Sequence, residues 1–132
     1  MMELPVKRDN SGFTLIEFLV SIVILMVGLL GLLQAVNLSY SHNLQTQLRN
    51  EAVTVADSVM AGEIAKGYDN ASTSSRAINV SRKILSGMKN YSVVRTGSSL
   101  QNSKEITYEV SWKYKGTRYI HNASGVISKT NQ

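Results

Sequence analysis

The sequence predicts an α+β fold, with a long N-terminal helix packed on a small antiparallel β-sheet. Three observations predict it. Residues 13–33 form an apolar run that continues as an amphipathic pattern to about Lys66. Residues 106–114 alternate strictly between apolar and polar side chains. A Lys115-Gly116 turn then leads into a further strand-like run, Thr117 to Ile127.

The run FTLIEFLVSIVILMVGLLGLL holds only Thr14, Glu17 and Ser21 as polar interruptions. At about 1.5 Å per residue, a helix of this length covers about 30 Å, the thickness of a bilayer core. From Phe18 to Leu33 it has no wet face of the kind a soluble core helix shows. Membrane insertion is therefore expected. A secretory signal peptide fits poorly, because the apolar stretch is too long and Gln34-Ala35-Val36 is no small-x-small cleavage site. Lys7 and Arg8 stand just ahead of the span, which keeps the N-terminus cytoplasmic and exports the rest. Glu17 is out of place here. A carboxylate in a membrane segment is costly and calls for a function and a partner.

Beyond the span, Leu38, Leu44, Leu48, Ala52, Val55 and Val59 recur at mostly three- and four-residue steps between polar positions. This predicts one continuous helix to about Lys66, with Gly67 as its stop. The stripe needs a surface to cover. Tyr68 to Arg76 reads as a turn-rich link. Ile78, Leu85 and Met88 fit one face of a short helix. Three strands are expected after it: Tyr91 to Thr96, Ile106 to Tyr114, and Thr117 to Ile127.

The chain has 132 residues, enough for one domain and an appendage. It has no cysteine, which excludes disulfides, thiolate metal sites and cysteine nucleophiles. Residues 67–132 carry ten Lys/Arg against three Asp/Glu, so this part is basic and could attract nucleic acid, acidic lipid or acidic protein. His42 and His121 lie far apart and make no metal pair. Phosphate-cradling and nucleophile-elbow motifs are absent. No enzyme, cofactor or metal is expected. Trp112, Tyr108 and Tyr114 are read as the core face of a sheet in preference to a base-stacking platform, which makes nucleic acid the weaker choice of partner.

The string GFTLIE, behind a basic leader and ahead of a full-length span, resembles the processing site of type IV prepilins and the related pseudopilins. VGLLGL resembles minor pilins of the PilV type. The resemblance implies that residues 1–12 are a leader, cut by a prepilin peptidase between Gly12 and Phe13, with Phe13 then N-methylated. It implies an assembly helix over residues 13–36, an amphipathic half over 37–66, and a pilin-like domain over 67–132. Glu17 becomes the fifth residue of the mature chain, placed to meet the Phe13 amine of a neighbouring subunit. The expected function is that of a minor pilus subunit, in initiation or at the tip. The alternatives are a minor pseudopilin of a type II secretion system, or a basic pilus module that binds DNA or an adhesin. The expected partners are other pilin subunits, the peptidase, the inner membrane and a tip adhesin. The expected course runs from an inner-membrane pool to an extracellular pilus. The helix-breaking proline of many major pilins is missing, with Gln34 at that position, and so is their C-terminal disulfide loop.

Overall fold

The computed structural model describes residues 12–129; Lys7 and Arg8, and the expected leader they belong to, lie outside the described residues but for Gly12. Helix α1 runs Leu15–Ile64, followed by the single turn α2, Gly67–Asn70. Four strands follow: β1 (Arg76–Ile84), β2 (Gly87–Ser99), β3 (Ser103–Tyr114) and β4 (Thr117–Ser128). They form one sheet in the order β1-β2-β3-β4, every neighbouring pair antiparallel. The chain divides into two compact units, one ending at Tyr40 and the other beginning at Ser41.

In the first unit every side chain from Gly12 to Tyr40 is exposed. The helix is long and apolar enough here to cross a membrane.

In the second unit, Leu48, Ala52, Val55 and Ala56 are the buried apolar residues of α1. They belong to one core with Tyr91, Val93, Ile106, Tyr108, Val110 and Trp112 of the central strands. The alternation seen in the sequence thus places its apolar set on the helix side of β3. Tyr91 is fully buried, and its hydroxyl donates to the Leu48 carbonyl at 3.0 Å, which ties helix to sheet. Trp112 lies between Tyr91, tilted at 54°, and its cross-strand partner Tyr119, stacked at 19°. Such aromatic pairs add about 0.5–1.5 kcal/mol beyond their buried area.

The expected short helix near Ile78 is a strand instead. Ile78, Val80, Arg82 and Ile84 alternate with Ala77, Asn79, Ser81 and Lys83, a period of two along the whole of β1. The helical reading rested on Leu85 and Met88, which flank the β1–β2 turn and are 70% and 68% exposed. The sheet therefore has four strands, and β2 extends beyond Tyr91–Thr96 at both ends. Of the expected link, Tyr68 to Asn70 belong to α2 and Arg76 opens β1. Within the stripe, Leu38 is exposed, whereas Ala56 and Glu63 are buried without having been expected there. The Lys115-Gly116 turn has both residues at positive φ (49° and 81°), as the two-residue hairpin of matching twist requires.

Gly97 sits where the segment after α2 crosses β2. A Cβ there would come within 2.9 Å of Thr73 Cα and 3.0 Å of the Glu105 carbonyl oxygen, both backbone atoms that yield little. Gly62, inside α1, would meet nothing within 4 Å. Two alanine substitutions should therefore act in opposite directions. Gly97→Ala should destabilise the domain by about 1–3 kcal/mol. Gly62→Ala should stabilise it by up to about 1 kcal/mol. Thermal unfolding followed by the fluorescence of the single tryptophan checks both.

Candidate functional site

The first site lies at the start of α1. Thr14 stands just before the first helical residue, and Glu17 is three positions on. The Thr14 amide and hydroxyl both donate to Glu17 Oε2 at 3.0 Å, and the Glu17 amide donates to Thr14 Oγ1 at 3.3 Å. This reciprocal exchange is a capping box, which satisfies amides that the first helical turn leaves without partners. The T-x-x-E spacing was legible in the sequence, but the apolar run drew attention to the charge alone. Glu17 thus has a local partner within its own chain. Its carboxylate also sits at the positive end of the helix dipole, which favours a negative charge. Both bonds that it accepts fall on Oε2. Among the described residues Oε1 accepts none, so one oxygen is left for an intermolecular donor. Ser21 donates back to the Glu17 carbonyl at 2.7 Å and so contributes no exposed donor of its own. Phe13 and Ile16, 76% and 68% exposed, leave the approach to this helix end apolar.

The second site, which sequence reasoning missed, is a buried polar cluster at the far end of α1. Glu63 is 3% exposed and Arg95 is 7% exposed. Arg95 Nη1 donates to Glu63 Oε2 at 3.1 Å. The same oxygen accepts from Lys66 Nζ at 2.7 Å and from the Tyr108 hydroxyl at 3.3 Å, while the Ser72 amide donates to Oε1 at 2.8 Å. Arg95 also donates from Nε to the Ser74 carbonyl at 3.0 Å and from Nη2 to the Ser72 and Ser74 hydroxyls. Helix, sheet and the 71–75 segment are thereby joined through one carboxylate.

Burial opposes the ionised form of Glu63. The bonds from Lys66 and Ser72, with the charges of Lys66 and Arg95, outweigh it and hold the carboxyl down at about 2. A group so far from neutrality, with both oxygens occupied by donors, is no general base. Burial, and then the Glu63 charge, push the Tyr108 phenol up and keep its proton in place to donate. Beside the cluster, Lys104 Nζ donates to the carbonyls of Tyr68 and Ala71 and lies 4.8 Å from the Tyr68 ring centroid. These contacts fasten α2 to β3. The site is a structural lock.

His42 is exposed and His121 half-buried. Among the described residues, no three His, Asp or Glu side chains are grouped to hold a metal ion. Tyr108 and Trp112 are buried in the core and present no stacking platform.

No curated protein and no solved structure matches the chain. Residues 7–33 match the family described as the prokaryotic N-terminal methylation motif. With the apolar helix, this motif marks a membrane-anchored chain. It supports a type IV pilin or pseudopilin, a structural subunit that is processed by a prepilin peptidase and assembles with other pilin subunits.

Proposed function

We propose that the chain is a minor subunit of a type IV pilus, resembling the PilV type, that waits in the inner membrane and enters an extracellular filament through α1, in initiation or at the tip. The observation that carries this reading is the placement of Glu17. It stands five residues after Gly12, inside a matched methylation motif, on a helix whose other half covers a four-stranded meander. A minor pseudopilin rests on the same observation. The N-terminal mass of the protein from cells tests the shared core of the two. The expected mass is that of a chain beginning at N-methylated Phe13. A mass retaining the leader would overturn the reading.

In this reading Glu17 has two tasks, capping its own helix and receiving the methylated amine of a neighbour's Phe13. Two substitutions separate them. Glu17→Gln keeps a side chain able to complete the capping box but removes the charge, whereas Glu17→Ala removes both. Each makes the span less polar, so membrane insertion should hold. Incorporation should fall about tenfold in both, since an amine that has lost its counter-charge in apolar surroundings is expensive. The measurement is the ratio of each variant in sheared filaments to that in membranes. A Gln variant that assembles like wild type would leave Glu17 only its capping task.

A further inference from the structure

The domain's charge is concentrated at one end. Residues 41–50, 82–91 and 111–119 carry seven Lys/Arg and no Asp/Glu. The remainder of residues 51–129 carries five against six. These three segments meet in space. Lys115 Nζ donates to Ser41 Oγ at 2.7 Å, and the Leu85 amide donates to Gln47 Oε1 at 3.3 Å. The β1–β2 and β3–β4 turns are thus both tied to the first residues of the domain's share of α1. A shallow depression is lined by Met88, Lys89, Lys113 and Arg118 among others. The register also sets Arg82 opposite Lys89 on the helix side of the sheet, and Lys113 opposite Arg118 on its other side. Like charges placed directly across strands destabilise a sheet, so this pattern costs stability unless an anion relieves it. Arg118 has one carboxylate partner, Glu109 at 3.2 Å, and both side chains are largely exposed.

Two further features say which anion fits. The tip of the β1–β2 hairpin bears exposed Leu85 and Met88, next to Lys83 and Lys89. Apolar side chains flanked by cations suit a bilayer interface, where the first enter the acyl boundary and the second meet the phosphates. The chain also brings this end to a membrane. Leu33 closes the apolar run and Ser41 opens the domain, and the residues between them reach at most roughly 28 Å in any conformation. Tethering on that scale raises the effective concentration enough for weak contacts to persist.

We propose that the basic end of the domain, with Leu85 and Met88 at its tip, docks on anionic phospholipid headgroups of the membrane that residues 13–33 span. The inference rests on that span. Docking holds the subunit's domain against the bilayer before assembly, and entry into a filament must break it. Each basic residue near an anionic surface contributes roughly a fivefold preference for the docked state, screened by salt.

The test uses the full chain in vesicles. The protein has no cysteine, so Ser86→Cys gives a single labelling site in the β1–β2 turn, and Gln101→Cys gives one in the turn at the opposite end. Each carries an environment-sensitive dye, read against nitroxide-bearing headgroup lipids. In vesicles with 30% phosphatidylglycerol, the label at position 86 should be quenched and the label at 101 should not. Quenching at 86 should fall at least about tenfold in pure phosphatidylcholine, in half-molar salt, and in a variant with Lys83, Lys89 and Lys113 all changed to Gln. Equal quenching at 86 under all these conditions would show tethering alone and overturn the proposal. So would quenching abolished by a short DNA duplex that the domain prefers to lipid. Resistance to alkaline extraction is measured on the same samples. A chain that integrates but shows no quenching at 86 overturns the docking only. A chain that fails to integrate overturns the span reading and the docking with it.

Discussion

Glu63→Gln should lower the stability of the domain that begins at Ser41 by about 3–5 kcal/mol, the usual cost of removing one partner from a buried ion pair. The amide can still accept hydrogen bonds, but it cannot balance the guanidinium of Arg95, which stays buried among Ser72, Ser74 and Tyr108. Lys66 is a lesser concern, since its side chain is half exposed and returns to water. For a domain of this size each kcal/mol shifts the midpoint by roughly 4–8 °C. The melting temperature, followed by Trp112 fluorescence, should therefore fall by about 12 °C or more. Replacing Glu63 and Arg95 together by methionine should recover much of the loss, because the cost lies in the uncompensated charge. If the single variant melts within about 2 °C of wild type, the cluster is not a lock.

The same carboxylate sets an acid limit. Its pKa is held at about 2 in the folded chain, against an ordinary value of 4.5. The native state therefore favours the ionised form, and that stabilisation is fully present above about pH 4.5. It is lost as pH falls from there through about 2. The shift corresponds to about 3 kcal/mol. Wild type should thus lose melting temperature steeply across this window, and Glu63→Gln should show a flatter profile.

Some of this architecture was open to reading because the signal repeats along the chain. The alternation of Ile106, Tyr108, Val110 and Trp112 reports one buried face of a strand four times over, and the structure buries all four. The helix was legible from the same kind of redundancy, and it ends at Ile64, close to the expected Lys66. Strand β1 was lost because its buried face carries two arginines and its other face is small and polar, so the apolar count favoured Leu85 and Met88. The Glu63–Arg95 pair was illegible for a different reason. Its partners lie 32 residues apart, and both residue types are ordinarily solvent-exposed. Only the fold brings them together. Gly97 is similar: its need for a bare Cα comes from the backbone of Thr73, which no local pattern announces. At the N-terminus the reverse holds. The motif was readable in full, but the capping task of Glu17 came to light only with the geometry of Thr14.

Gly12→Leu should leave the chain in the membrane as full-length precursor, with processing at Gly12-Phe13 essentially abolished. The reason is external to the fold. Gly12 is exposed, and among the described residues a Cβ built on it meets no atom within 4 Å. It is also not one of the glycines held at positive φ. Among the described residues nothing therefore demands glycine at position 12, and the substituted protein should fold and insert as before. In the proposed reading the demand comes from the prepilin peptidase, which must close around the bond where the polar leader meets the span. A branched side chain on the residue before the cut would fill that space. Gly12→Ala adds one methyl group and should be processed in part, which makes it the graded control. The measurement is the fraction of precursor by gel mobility and intact mass, with alkaline extraction to confirm insertion. Processing of the Leu variant at the wild-type rate would place the cut elsewhere and remove Phe13 as the mature N-terminus. The amine assigned to pair with Glu17 would go with it.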